Sequence, residues 1–311
     1  MLKINVPLSV PKRKEKEYIK NFKIATHNTG RLMMFAGDQK VEHLNNDFVG
    51  KNIPKEVADP EHYFQIAKKA HIGVFATQLG LIAKYGRDYS TVPYLVKVNS
   101  KTNLLKTKYK DPFANLWIQM EEIINFKKQT KLNILGVGYT INIGSWYESK
   151  MFRQAENLIY QAHQEGLITV LWMYPRGKAV KNENDIHLIA GGAGVAVCLG
   201  ADFVKVNFPY NKFHTNRTCK LFQEVTNAAG RTGVICVGGA KKSEKSFLSC
   251  LHSQIHINKS KGNATGRNIY QRPLNEAIKM ANAISAISLY DYSAKDAYDI
   301  FLGKNKLKIK S

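Results

Sequence analysis

The chain has 311 residues, a formal charge of +22 at pH 7, and 44% hydrophobic and 23% charged side chains. That balance describes a folded globular protein with apolar material for a large core, and excludes a mainly disordered chain. No run approaching ~20 apolar residues occurs; the nearest, residues 186–204, holds His187, Asp202 and four glycines, so no membrane span is expected.

The charge makes nucleic acid the first partner to weigh. Its distribution argues against one. Lysines are scattered along the whole chain, with modest clusters at Lys12 to Lys20 and Lys304 to Lys310, and no aromatic-interleaved basic motif occurs. Cys198, Cys219, Cys236 and Cys250 have neither metal-site nor disulfide-framework spacing, and the N-terminus lacks the apolar core of a secretory signal. A cytoplasmic protein with reduced thiols is expected.

After a basic leader over residues 1–30, Leu32 to Asp38 is the first predicted strand, and Asp59-Pro60 opens a helix to about His71. Further strands are predicted at Val74–Leu79, Tyr94–Ser100, Ile134–Ile141, Ile168–Tyr174, Gly200–Pro209, Val234–Gly238 and Ala264–Ile269. Between them helices are expected near 115–128, 145–165, 183–199, through Phe222, from Ser243, and 273–287, with a polar loop after the third strand. Eight strands alternating with helices favour a single (β/α)₈ barrel over residues 31–290, followed by a C-terminal helix and basic tail over 291–311. No GxGxxG follows the first strand, which leaves a dinucleotide-binding fold unsupported.

The sixth strand carries Lys205 in its middle. Phe203, Lys205 and Asn207 share one face and Val204, Val206 and Phe208 the other; in the same way Leu95, Lys97 and Asn99 align in the third strand, and Val170, Trp172 and Tyr174 in the fifth. In a barrel the polar side faces the interior, and Asp38, Lys97, Tyr174 and Lys205 fall near the C-terminal strand ends where barrel active sites lie. A lysine turned into an apolar interior loses its proton or finds a counter-charge, and a neutral amine attacks carbonyls. A second cation such as Lys97 would lower its pKa further. His43, His62 and His71 form no ligand set with carboxylates, so neither metal nor cofactor is expected.

Six segments in order, Phe-Ala-Gly-Asp38-Gln-Lys-Val-Glu-His43, Leu-Val-Lys97-Val-Asn-Ser-Lys-Thr102, Leu-Trp172-Met-Tyr174-Pro-Arg-Gly177, Ala-Asp-Phe-Val-Lys205-Val, Val-Gly238-Gly239-Ala-Lys241 and Gly266-Arg267-Asn-Ile-Tyr-Gln271, resemble the archaeal-type class I fructose-1,6-bisphosphate aldolases, a family also found in bacteria. The resemblance implies a Schiff-base lysine at Lys205, an acid/base tyrosine at Tyr174, and Asp38 and Trp172 in the same pocket, with Lys97 and His43 beside them. It implies a sugar-phosphate substrate whose phosphate lies against Gly238, Gly239, Gly266 and Arg267, and ring-like homo-oligomers, often decamers. Ala240 stands where many relatives have proline and Asn207 where some have a second basic group, and the opening Gly-Asp-Gln-Lys-Val-Glu-His is closer to a longer bacterial branch. Another lysine-dependent lyase or acyl-transferring enzyme of the same barrel family is the near alternative; a basic nucleic-acid binder is the remote one.

Overall fold

In a computed structural model the chain is described over residues 2–43, 45–102, 111–209 and 216–309, with the side chains of 216–219 excepted. The elements run α1 (Glu15–Thr26), β1 (Leu32–Ala36), α2 (Gln39–Glu42), α3 (Glu61–Lys69), β2 (Val74–Gln78), α4 (Leu79–Tyr85), β3 (Tyr94–Lys97), α5 (Met120–Thr130), β4 (Ile134–Ile143) and α6 (Glu148–Gln164). They continue with β5 (Ile168–Pro175), α7 (Ile186–Cys198), β6 (Phe203–Val206), α8 (Asn216–Ala228), β7 (Gly233–Val237), α9 (Glu244–His256), β8 (Gly262–Thr265), α10 (Arg267–Tyr270), α11 (Leu274–Tyr290) and α12 (Ala294–Phe301). The eight strands pair in parallel in sequence order and close through β8 and β1, the barrel expected. Residues 103–110 of the polar loop after β3, the Cys219 side chain and Lys310 lie outside the described residues.

The two faces of each strand go to two cores. Met33, Phe35, Val96, Val137, Tyr139, Ile141, Leu171, Met173, Val204 and Val206 join the helical layer. Met34, Ala76, Leu95, Val170, Trp172, Tyr174, Phe203 and Ile235 fill the interior. Both faces are dry, which is why these strands read as continuous apolar runs. A polar side chain that interrupts the interior costs free energy unless a hydrogen bond or counter-charge compensates its burial.

Strand eight differs from expectation. It begins two residues earlier, at Gly262, because residues 262–265 pair with Leu32 to Phe35, and the chain then turns at Gly266 into the short α10. The leader contains a helix that its lysine content hides. Tyr18, Asn21 and Ala25 recur at helical spacing and are buried, and α1 closes the N-terminal mouth of the barrel, with Phe22 stacked on Phe203 at 5.6 Å between ring centroids.

Below that helix lies a buried carboxylate with a full set of partners. Asp202 accepts from the Tyr18 hydroxyl at 2.5 Å, the Thr169 N–H at 2.7 Å, the Thr169 hydroxyl at 3.0 Å and His163 Nε2 at 3.1 Å. Replacing it by alanine orphans several of these groups at once. We expect Asp202→Ala to lower the unfolding free energy by about 3–5 kcal/mol, read by urea denaturation, while the chemistry at the opposite end survives in the folded fraction. A loss below about 1 kcal/mol would show that Asp202 does not tie the leader to the barrel.

Candidate active site

The C-terminal mouth gathers the polar residues of the interior. Trp172 on β5 lies flat across it because β4 has glycine opposite: a Cβ on Gly138 would sit 2.3 Å from the Trp172 ring. Two amines lie over that ring, Lys97 Nζ at 5.1 Å and Lys205 Nζ at 5.0 Å from its centroid. Each gains a cation–π attraction on the order of 1 kcal/mol, too little to offset the loss of water around a charged ammonium.

The two lysines differ in what holds them. Lys97 is 1% exposed; its Nζ donates to the Asn99 carbonyl at 2.5 Å and stands 3.7 Å from Glu42 Oε1. Lys205 is 5% exposed and has no hydrogen bond among the described residues. Burial lowers the pKa of both, opposed by Glu42 and Asp38. For Lys205 the neighbouring Lys97 and Arg176 push further in the same direction as burial. Lys97 is thus the anchored cation and Lys205 the amine released towards its neutral form.

The carboxylates divide similarly. Asp38, at the turn after β1, is buried and held above the ordinary carboxylate range by that burial, against the pull of Lys205. Glu42, one helical turn on, is also desolvated, yet Lys97, the Ser100 hydroxyl at 2.7 Å, Arg176 and Lys205 together outweigh this and hold it ionised. Tyr174 is raised by burial, with the Arg176 guanidinium 4.1 Å from its ring centroid pulling the other way. Its phenol is therefore protonated before any reaction begins.

A second group forms where β7 and β8 end. Gly238 donates its N–H to the Ala264 carbonyl at 2.9 Å, so it continues the ladder and offers that N–H to no anion. Gly239 turns the chain in the left-handed region, at φ 69°. Asn268 ties the two loops together, donating to the carbonyls of Gly238 and Ala240 at 3.0 Å each. Gly266 packs directly beneath Gln39. Arg267 stands 3.5 Å from Asp47, which also meets His43 Nδ1 at 2.5 Å, so Arg267 and His43 share a carboxylate at the rim. Among the described residues no three His, Cys, Asp or Glu side chains are grouped to hold a metal ion.

The structure thus places Lys205, Lys97, Trp172, Asp38 and Tyr174 at one mouth of the barrel, with the glycines, Arg267 and His43 on its β7–β8–β1 side. Sequence reasoning gave no role to Glu42, Asn99, Ser100, Arg176 or Asn268. Glu42 had a signal: it follows Asp38 by one turn of helix, so both carboxylates face the same way.

A family profile described as DeoC/LacD family aldolase matches residues 32–272. The chain is 52% identical over 303 residues to a fructose-bisphosphate aldolase/6-deoxy-5-ketofructose 1-phosphate synthase of Methanocaldococcus jannaschii, covering 97% of this chain and 96% of that protein. It superposes on a fructose-bisphosphate aldolase from Slackia heliotrinireducens with a TM-score of 0.95 at 49% identity, covering 99% and 97% of the two chains. An archaeal fructose-1,6-bisphosphate aldolase whose catalytic lysine carries the carbinolamine intermediate of its substrate superposes with a TM-score of 0.74 at 29% identity, covering 88% of this chain and 99% of that one.

The field around Lys205 makes a signed prediction. Lys97→Met removes a cation that favours the neutral amine, so the rise of Lys205 reactivity with pH moves to higher pH; Glu42→Gln removes an anion that favours the ammonium, so it moves to lower pH. Peptide mass spectrometry after timed labelling with a small amine-directed reagent reads both. Shifts of the same sign in the two variants would contradict this arrangement of charges.

Proposed function

The chain belongs to the DeoC/LacD family of aldolases, and we propose that it is a metal-independent class I fructose-bisphosphate aldolase. It would cleave fructose 1,6-bisphosphate reversibly to dihydroxyacetone phosphate and glyceraldehyde 3-phosphate through a Schiff base at Lys205. The observation that carries this reading is the desolvated Lys205 amine, without a hydrogen bond among the described residues, beside the anchored cation Lys97.

The neutral Lys205 amine adds to the C2 carbonyl, and Asp38, whose burial raises its affinity for a proton, takes the proton that the nitrogen sheds and passes it to the C2 oxygen, giving the carbinolamine. The Tyr174 phenol then donates to the carbinolamine hydroxyl. Water leaves, and an iminium and a phenolate remain. The iminium charge and Arg176 stabilise that phenolate, which takes the C4 hydroxyl proton as the C3–C4 bond breaks into the iminium. Aldehyde departs, the enamine is protonated at C3, and water releases the ketone from Lys205. The phosphate near C1 would lie between the β7 and β8 loops, where barrels often hold phosphate, with Arg267 and Gly239 as contacts.

The Methanocaldococcus relative's second activity favours a broader reading, in which an aldehyde other than glyceraldehyde 3-phosphate also accepts the enamine. A cytoplasmic homo-oligomer belongs to the same proposal. It is supported by the free thiols Cys198 and Cys236 and by the exposed apolar side chains Trp117 and Trp146.

Sodium borohydride with substrate should leave a reduced adduct on the Lys205 peptide, and Lys205→Met should abolish adduct and turnover together. Tyr174→Phe should keep the adduct while cleavage falls ~10²–10⁴-fold. An adduct on Lys97 instead, or unchanged turnover in Tyr174→Phe, would refute this division of labour. For the phosphate, Arg267→Ala should raise KM much more than it lowers kcat, since a remote contact contributes mainly uniform binding; both parameters within twofold would remove Arg267 from the site.

A further inference from the structure

Asn142 stands at the C-terminal end of β4, 1% exposed, and neither its Nδ2 nor its Oδ1 has a hydrogen-bond partner among the described residues. Its direction follows from the strand. Val137, Tyr139 and Ile141 pack outward with the helices, so alternation turns Gly138, Thr140 and Asn142 inward. In the barrel register Asn142 is the partner of Tyr174 and Thr140 of Trp172, and the Thr140 hydroxyl is unpartnered too. Buried amides are almost always satisfied, and an orphaned one is costly enough that it calls for a ligand or water.

The order of strands says which part of the substrate comes within reach. On the reading given above, C1 phosphate lies at β7–β8, C2 is bonded to Lys205 on β6, and the C4 oxygen meets Tyr174 on β5. The next strand in the same direction is β4, and the next oxygen along the carbon chain is that on C5. We propose that Asn142, assisted by the Thr140 hydroxyl, is the specificity-determining residue that binds the C5 oxygen of the ketose.

An amide suits that place. Its NH₂ donates to an oxygen whether that oxygen is a hydroxyl or a carbonyl, and its C=O accepts from a hydroxyl only. A C5 hydroxyl, as in fructose 1,6-bisphosphate, uses both halves of Asn142; a C5 ketone, as the name 6-deoxy-5-ketofructose 1-phosphate describes for the Methanocaldococcus relative's product, uses one. The same residue therefore grades acceptor aldehydes by the oxygen on the carbon next to the reacting carbonyl. An apolar residue there would be indifferent to it.

The test runs the condensation of dihydroxyacetone phosphate with D-glyceraldehyde 3-phosphate and with 3-oxopropyl phosphate, which lacks the hydroxyl that becomes the C5 oxygen. The unmutated enzyme should prefer the hydroxylated aldehyde in kcat/KM by roughly 10- to 100-fold, the range for one buried polar group left unpaired. Asn142→Leu, close in size, should lose most of that factor on glyceraldehyde 3-phosphate and change less than about threefold on the deoxy aldehyde. The borohydride adduct of dihydroxyacetone phosphate on Lys205 should be unchanged, and the melting temperature equal or higher because no amide is left unsatisfied. Equal losses on both aldehydes, or no loss on either, would overturn the assignment. So would an unmutated enzyme that treats the two aldehydes alike, a result that needs no folded variant. Absence of any Lys205 adduct in the unmutated enzyme would instead overturn the Schiff-base reading itself.

Discussion

Keeping one lysine unprotonated inside a closed barrel is the constraint on which the rest of the site depends. An amine with an ordinary pKa of ~10.4 is almost wholly charged at neutral pH, and burial alone would disfavour the charge without deciding between Lys205 and Lys97. The decision comes from partners. Lys97 keeps a backbone carbonyl and the ionised Glu42; Lys205 has the face of Trp172 and the repulsion of its neighbour. One buried cation, well satisfied, makes the second one cheaper to discharge. The same logic separates the carboxylates, since the charge on Glu42, anchored by Ser100 and Lys97, helps hold Asp38 in its protonatable range.

The barrel was legible because its strands are buried on both sides and each ends in Gly, Pro or a polar turn that stops the run. The interior face was legible for a different reason. Lys97 and Lys205 break otherwise apolar alternation, and a charged residue in such a run is either misplaced or functional. Glu42 and Arg176 escaped because their sequence context is polar. A carboxylate on a short turn reads as surface until three-dimensional contacts bury it. The leader helix escaped for a related reason: six of the residues from Lys12 to Lys23 are basic, and that composition conceals the Tyr18-Asn21-Ala25 stripe that seals the barrel.

Strand eight shows the limit of composition more sharply. Gly262-Asn263-Ala264-Thr265 has little intrinsic β preference, and it is a strand because β7 and β1 lie on either side of the gap it fills. Closure dictates the register, and the register places Gly266 where the chain can bend beneath Gln39 and present Arg267 at the rim. Local propensity carries no trace of that requirement. The glycine-arginine pair was recognisable only as part of a longer pattern, and the actual donor geometry, with the Gly238 N–H committed to the ladder, was not.

The Asp202 network and the C-terminal mouth of the barrel treat buried polarity in opposite ways. At the N-terminal end Asp202 is met by Tyr18, Thr169 and His163, and nothing in the network waits for a ligand. At the C-terminal end Thr140 Oγ1, both polar atoms of Asn142 and Trp172 Nε1 are buried without partners. Each such group weakens the ligand-free fold by about 1–3 kcal/mol unless water reaches it. A protein that satisfies its charges so fully at one end has the means to do so at the other. Hydrogen-bonding capacity is held open at the mouth for what binds there, and the satisfied Asp202 network beneath α1 supplies part of the stability that the open groups forgo.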